Sequence, residues 1–254
     1  MDRFHPFHSQ LYIGNGRAVY CGPLQHLEDH VYGAPVLHVG IYKPFQLMLA
    51  DGEWQSYRVA LVPPGLRHAL NLEGGVHGKL FVDAESASAP AFRRRYPYRK
   101  GEVSSFHDPE IVAAFHWVFE EDPRQPDVEA LLDRLFPEDP GSTIDPRILK
   151  VLDLIRAEPD RNHSQDELAE ALGLSPSRVL HLFSEQIGVP YRRYRMWKRL
   201  WLSAERLHAS DSMTNAALDS GFADATHFSH AFRDTFGVNP APVFRKIERF
   251  ERLA

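Results

Sequence analysis

The chain has 254 residues, enough for two domains with separate cores, and its composition is that of an ordinary globular protein. It holds no run of eighteen apolar residues, its opening MDRFHPFHSQ lacks the apolar stretch of a signal peptide, and its one cysteine, Cys21, excludes an internal disulfide, so a cytoplasmic protein with no membrane span is expected. The net charge of −5 does not suggest nucleic-acid binding, but it is unevenly spread: residues 1–144 carry 13 Lys and Arg against 19 Asp and Glu while residues 145–254 carry 16 against 15.

The first hundred residues read as strands. LYIG, RAVYCG, PVLHVGIY, FQLMLAD, SYRVALVPP and GKLFVDA are short apolar or alternating runs punctuated by Gly, Pro and Asp. Their close spacing predicts an antiparallel sandwich or barrel over residues 1–104. Helices follow at Pro109–Glu121 and Pro126–Phe136, the first with Ile111, Phe115, Val118 and Phe119 on one stripe. Residues 105–137 are therefore expected as a helical segment that mediates dimerisation. FPEDPGSTIDP, rich in Pro, Gly and acid, marks a linker at 138–147.

From 148 to 254 the chain is expected to be helical throughout. Ile148–Arg156 is one helix. Ser164 with Glu167 three residues later is a capping box that opens Gln165–Leu172. Gly173 ends that helix, and Ser175-Pro176 starts the next with proline at its favoured first position. A long segment from Pro190 to about His208 places Tyr194, Trp197, Leu200, Trp201, Ala204 and Leu207 at helical spacing. A second helix pair then covers Met213–Ser220 and Ala225–Phe236. Within residues 178–206, Arg178, Arg192, Arg193, Arg195, Lys198, Arg199 and Arg206 outnumber Glu185 and Glu205, a local basic footprint.

The two helix pairs repeat one another. Counted from the caps Ser175 and Asp224, an apolar residue stands four later (Val179, Phe228), a histidine six later (His181, His230), a phenylalanine eight later (Phe183, Phe232) and a glycine thirteen later (Gly188, Gly237). At 100° per residue, Val179, Leu182 and Phe183 share one face, as do Phe228, Ala231 and Phe232, and that face belongs to a core. Ser177, Leu180, His181 and Ser184 lie opposite, as do Thr226, Ser229, His230 and Arg233. Ala169 and Ala217 allow close helix crossing four residues before the turn glycines Gly173 and Gly221. A helix, a glycine turn and a second helix are the grammar of helix-turn-helix DNA binding. The connecting helix spans roughly 27 Å at 1.5 Å per residue, which, with flanking packing, suits two reading helices about 34 Å apart along one duplex.

GFADATHFSHAFRDTFGVNP and DELAEALGLSPSRVLHLFSEQIG resemble the signature of the AraC/XylS transcription regulators, over about residues 148–247. The resemblance rests on Gly221-Phe222, His227-Phe228, Phe232-Arg233, Phe236-Gly237 and Pro240. It implies base reading by Ser177, Leu180 and His181 in the first unit and by Ala225, Thr226 and His230 in the second. Arg178, Arg195, Arg199 and Arg233 are candidates for the DNA backbone. Family members often carry arginine where this chain has His181 and His230; arginine grips guanine through two bonds, histidine through one. VPPGLRH resembles the second motif of cupin barrels in Pro63, Gly65 and His68. The first cupin motif is replaced by LQHLEDH, so His26, His30, His68 and His77 are candidate metal ligands whose spacing departs from the pattern, and no metal or other cofactor is expected.

The expected architecture is therefore α+β with two domains: a cupin-like antiparallel barrel, then an all-α domain with two helix-turn-helix units joined by a long helix. The expected function is a non-enzymatic, DNA-binding regulator responsive to a small-molecule effector in the barrel, with His38, Tyr42, Trp54 and His68 as candidate pocket residues. Double-stranded DNA is its partner, with a homodimer and, for an activator, RNA polymerase as further partners. The alternatives are a metal-dependent cupin enzyme with a helical appendage and a regulator that takes no effector.

Overall fold

The computed structural model describes residues 8–139, 144–207 and 213–254. The strands β1 (Ser9–Gly14), β2 (Arg17–Pro23), β3 (His26–Val31), β4 (Val36–Gly40), β5 (Phe45–Met48), β6 (Trp54–Tyr57), β7 (Val59–Val62), β8 (Arg67–Asn71) and β9 (Val76–Val82) come first. The helix α1 (Ala89–Arg95), the short strand β10 (Ser104–Ser105) and the helices α2 (Pro109–Glu121) and α3 (Gln125–Leu135) follow. Next are α4 (Pro146–Ala157), α5 (Gln165–Leu172), α6 (Pro176–Ile187), α7 (Tyr191–Leu207), α8 (Met213–Asp219), α9 (Ala225–Phe236), α10 (Pro240–Phe244) and β11 (Ile247–Arg252). Part of the expected linker, residues 140–143, and His208 at the expected end of the connecting helix lie outside the described residues.

The expected barrel is not closed. The strands form one sheet in the order β10-β7-β4-β9-β2-β1-β11 and a second in the order β3-β8-β5-β6. Two of the strands at the sheet margins, β3 and β1, are instead met by the C-terminal half of the chain. Beside β3, the amide of Glu28 donates to the carbonyl of Gly237, 2.8 Å away, at the end of α9. Beside β1 lies β11, paired in parallel from Ser9↔Ile247 to Ile13↔Arg252. An edge covered in this way no longer offers unpaired backbone groups to other chains. The strand β11 also corrects the expectation of an entirely helical C-terminal half. The stretch IERFER carries no clean apolar alternation; it is held as a strand by its pairing with β1 and by Arg249, whose guanidinium binds the carboxylates of Asp122 and Glu251.

The period of two sorts β9 cleanly. Leu80 and Val82 join the core between the seven-stranded sheet and α1–α3, whereas Phe81 joins the core between the sheets. A Cβ on Gly78 would lie 2.2 Å from the ring of Phe115, so only glycine lets α2 lie this close to the strand. The stripe Ile111, Phe115, Val118 and Phe119 is thus buried against the chain's own sheet. A homodimer through these helices has only their outer faces to use, where Trp117 is exposed.

The core between the sheets is continuous with that of α4–α7, including Ile148, Leu168, Phe183, Tyr194 and Trp197. A buried polar knot fixes α7 there. Asp83, just past β9, accepts from the Tyr194 hydroxyl at 2.5 Å, Trp197 Nε1 at 3.2 Å and Lys198 Nζ at 3.3 Å, and Lys198 also bonds Glu85. A buried carboxylate is stable only with such partners.

Candidate nucleic-acid interface

Both helix pairs are built as their residue spacing predicts. At α5 the Ser164 hydroxyl accepts from the Glu167 amide at 3.1 Å, and the Glu167 carboxylate accepts from the Ser164 amide at 2.6 Å. The turn glycines are left-handed, with φ of 63° at Gly173 and 81° at Gly221. Each turn closes with the same bond, from the Leu174 amide to the Ala169 carbonyl and from the Phe222 amide to the Ala217 carbonyl, both 3.1 Å. Ala169 and Ala217 are buried at the two crossings. Ser175 caps α6 by accepting from the Arg178 amide, and Asp224 caps α9 by accepting from the His227 amide at 2.7 Å. Gly188 and Gly237 end the two helices in left-handed turns.

The faces divide as the helical period requires. Val179, Leu182, Phe183, Phe228, Ala231 and Phe232 are buried. Ser177, His181, Thr226 and His230 face solvent, and Leu180 and Ala225 are half-buried beside them. His181 Nδ1 lies 3.7 Å from Glu185. His230 Nδ1 lies 3.2 Å from the Arg233 guanidinium. A guanidinium only donates, so Nδ1 accepts there and the neutral His230 ring carries its hydrogen on Nε2. Each unit therefore shows solvent a short polar side chain and a histidine.

The basic footprint is smaller than the sequence suggests. Lys198 is spent on Asp83 and Glu85. Arg199, expected at the DNA backbone, is instead buried: its Nε donates to the Ser220 carbonyl at 3.2 Å and its guanidinium lies 4.4 Å from the centre of the Phe222 ring. It braces the second turn. Arg195 is half-buried and bonded to Asn162. Arg178, Arg192, Arg193 and Arg206 remain exposed, and Arg233 is half-exposed.

The expected effector residues scatter. Tyr42 and Trp54 lie on the outside, about two-fifths exposed, because β6 is an edge strand and Tyr42 sits in a turn with its hydroxyl on Glu120. His38 and His68 are buried among His30, His77 and Tyr32. Of the candidate metal ligands, His26 is exposed beside Trp54, apart from this cluster. His30 Nδ1 contacts the Glu28 carbonyl at 2.7 Å, His68 Nδ1 the Leu66 carbonyl at 3.0 Å, and His38 Nδ1 the His77 Nε2 at 3.0 Å. Burial pushes the His68 imidazole down to about 4 and those of His30, His38 and His77 well below the usual range, so the cluster is neutral. Among the described residues, no three His, Cys, Asp or Glu side chains are placed to hold a metal ion.

A cavity of about 100 Å³ lies not inside the sandwich but between it and the helices. Ile13, Leu27 and Phe81 wall one side, and Trp197, Trp201 and Phe236 the other. Its charged group is Lys79, buried, with its amine 3.2 Å from the Tyr32 hydroxyl and no carboxylate partner among the described residues. Burial pushes the amine down to about 7. Lys79 was legible in principle, since VHGKLFV places it in the inward phase between His77 and Phe81. The aromatic walls were not, because nothing local says that α7 and α9 close over the sheet.

Comparisons with known proteins agree with this geometry. A family profile described as "Helix-turn-helix domain" matches residues 168–246, and one described as "Winged helix-turn-helix DNA-binding" matches residues 144–184. The XylDLEGF operon transcriptional activator 1 of Pseudomonas putida is 30% identical over 105 residues, covering 40% of this chain and 32% of that protein. The HTH-type transcriptional activator RhaS of Escherichia fergusonii is 33% identical over 81 residues, covering 32% of this chain and 29% of that protein. The chain thus spans about a third of the length of these curated relatives. An apo form of ToxT from Vibrio cholerae superposes with a TM-score of 0.66 at 14% identity, covering 93% of this chain and 99% of that one. ToxT with an unsaturated fatty acid bound gives 0.60 at 13% identity, covering 93% and 97%. At that identity the likeness is one of fold.

Proposed function

We propose that the chain is a regulator of the AraC/XylS type through its C-terminal domain, which resembles transcriptional activators, and that it binds double-stranded DNA sequence-specifically in the cytoplasm and acts as an activator on RNA polymerase. The observation that carries this reading is the matched pair α6 and α9, each with its apolar face buried and a histidine at the same step of its solvent face. Ser177, Leu180 and His181 read bases in one major-groove segment, and Ala225, Thr226 and His230 in the next. His230 offers a single outward donor, suited to one purine or thymine acceptor rather than to the paired grip of an arginine. Arg178, Arg195 and Arg233 serve the phosphates, supplying affinity rather than sequence choice.

The effector site is the cavity between the domains, not the sandwich interior. Its apolar walls and unpaired buried amine suit an apolar molecule with one anionic head, seated on Lys79 and Tyr32. ToxT, whose fold this chain shares, has been solved with an unsaturated fatty acid bound, which supports this class. At about 100 Å³ the cavity is smaller than the ~300 Å³ or more of most ligand pockets. A ligand therefore selects an arrangement in which α7 and α9 have moved from the sheet, and that differential affinity is what couples binding to DNA reading.

Genome-wide mapping of bound sites, followed by mobility-shift assays on those sites, tests the reading. A salt-sensitive shift of the mapped sites is expected, and no specific shift at any salt, with or without long-chain fatty acids, sinks it. His230→Ala lowers sequence preference about tenfold at one half of the site. Arg233→Ala weakens all sequences alike and reduces the salt slope by about one. A filled sandwich interior, packed with Tyr32, Phe45, Phe81 and the four histidines, favours one second reading, a regulator that takes no effector. An unchanged melting temperature with every fatty acid tried supports that one.

A further inference from the structure

The acidic N-terminal half contains one stretch that runs against its charge. Arg93-Arg94-Arg95-Tyr96-Pro97-Tyr98-Arg99-Lys100 has five basic residues and no acidic one. Two of the five have intramolecular work. Arg95 binds Asp108 and Glu110, and Arg94 pairs with Asp139 at 2.6 Å. Arg93, Arg99 and Lys100 have no carboxylate partner among the described residues; Arg99 and Lys100 are exposed, and the Arg93 guanidinium lies 6.0 Å from the Tyr98 ring. Three unneutralised cations close together repel one another, so their natural complement is an external polyanion.

The fold says which one. A groove of about 760 Å³ has Arg93, Tyr98 and Lys100 on one wall and His181, Ser184 and Glu185 of α6 on the other. The cationic wall thus faces the solvent side of the first reading helix. The acid on that opposite wall, Glu185, is turned to within 3.7 Å of His181. An α-helix lying in a major groove has a phosphodiester strand along each flank.

We propose that the segment Arg93–Lys100 is a phosphate-binding wall contributed by the N-terminal domain, which grips the strand flanking α6 and extends the DNA contact beyond the two helix pairs. The inference rests on the DNA-binding reading above and adds to it a surface outside the matched helix-turn-helix region. Arg93, Arg99 and Lys100 neutralise phosphates and release counterions. They raise affinity for every sequence and leave base choice to α6 and α9. The wall also ties the sensing half directly to the DNA, so that half is positioned by the operator as well as by its ligand.

The test uses the full chain carrying Arg93→Gln, Arg99→Gln and Lys100→Gln together, with a mapped site as the probe and fluorescence anisotropy over a range of salt. Loss of three phosphate contacts makes the slope of log K against log salt shallower by about 2 to 3 and weakens binding at least tenfold near 0.1 M salt. The ratio between the mapped site and a scrambled one stays as in the native protein. Hydroxyl-radical protection is lost on the strand flanking the first half-site. A control with Lys43→Gln, Arg124→Gln and Arg134→Gln removes the same charge from other exposed positions. The inference is overturned if the first triple variant keeps the native slope and affinity, or loses no more than the control. That result leaves the DNA-binding reading standing. A native protein that shifts no DNA removes both.

Discussion

The two helix pairs share one local grammar and differ in what holds them. The first is part of the main core: Leu168, Val179, Leu182, Phe183 and Ile187 pack with α4, α7 and the sandwich. The second has a small core of its own, made of Leu200, Ala217, Phe222, Phe228, Ala231 and Phe232. It meets the sheet through an edge bond between Gly237 and Glu28, through β11, and across the cavity that holds Lys79. Equal sequence spacing thus produces one unit built into the molecule and one docked onto it. The docked unit is the one a ligand in that cavity would move.

Breaking the docking contact should have the largest effect. Gly237 has φ of 71°, and a Cβ there would lie 2.4 Å from the Glu28 carbonyl and 2.7 Å from His30 Nδ1. Gly237→Val therefore combines a disfavoured backbone for a branched residue with a collision against the sheet. Amide exchange in α8 and α9 is expected to accelerate at least several hundredfold while α5 and α6 keep their protection. Equal acceleration in both pairs would mean that they open as one body, and the contrast between them would fail.

A smaller effect is expected at the cavity. The Lys79 amine titrates near 7 in the folded chain and near its ordinary, much higher value when unfolded. Between those values the unfolded chain binds more protons, so stability rises with pH through this window; below about pH 7 the whole cost of charging a buried amine is present. Lys79→Met should therefore stabilise the protein by roughly 3 kcal/mol at pH 6, with the gain shrinking towards pH 10, as read by urea denaturation. It should also abolish any rise in melting temperature caused by a fatty acid. A stability gain independent of pH would place the Lys79 amine in water.

The smallest effect sharpens the comparison from the other side. Ser164→Ala removes the hydroxyl half of the capping box at α5 and should cost about 1 kcal/mol. Exchange in α5 should quicken about fivefold, with α8 and α9 unchanged. A loss spread over both units would show that α7 transmits it.

What was legible in the residues is local. Caps, turn glycines and the 3.6-residue period located both helix pairs and divided their faces, because each of these signals acts within a few residues along the chain. The local count of basic residues made Arg199 a DNA-backbone candidate, yet it is buried, because the carbonyl of Ser220 and the ring of Phe222 arrive from a turn some twenty residues later. Strand pattern found the sheets but not their closure, since which element covers a sheet edge depends on distant backbone: Gly237 beside Glu28, and Ile247 beside Ser9. Trp54 lies outward on an edge strand for the same reason, since alternation gives a phase but not which sheet a strand joins, and Tyr42 lies outward because it falls in the turn between β4 and β5.

The sequence by itself determined that this chain repeats a capped, glycine-turned helix pair, because hydrogen-bond caps and backbone dihedrals are properties of neighbouring residues. Only the tertiary structure decided that one pair is core and the other is docked, that an apolar cavity with a lone buried amine lies between the halves, and that a basic segment of the N-terminal domain faces α6. Those outcomes depend on which apolar surfaces meet, and burial is non-directional: it rewards any good fit, and only the assembled chain selects one.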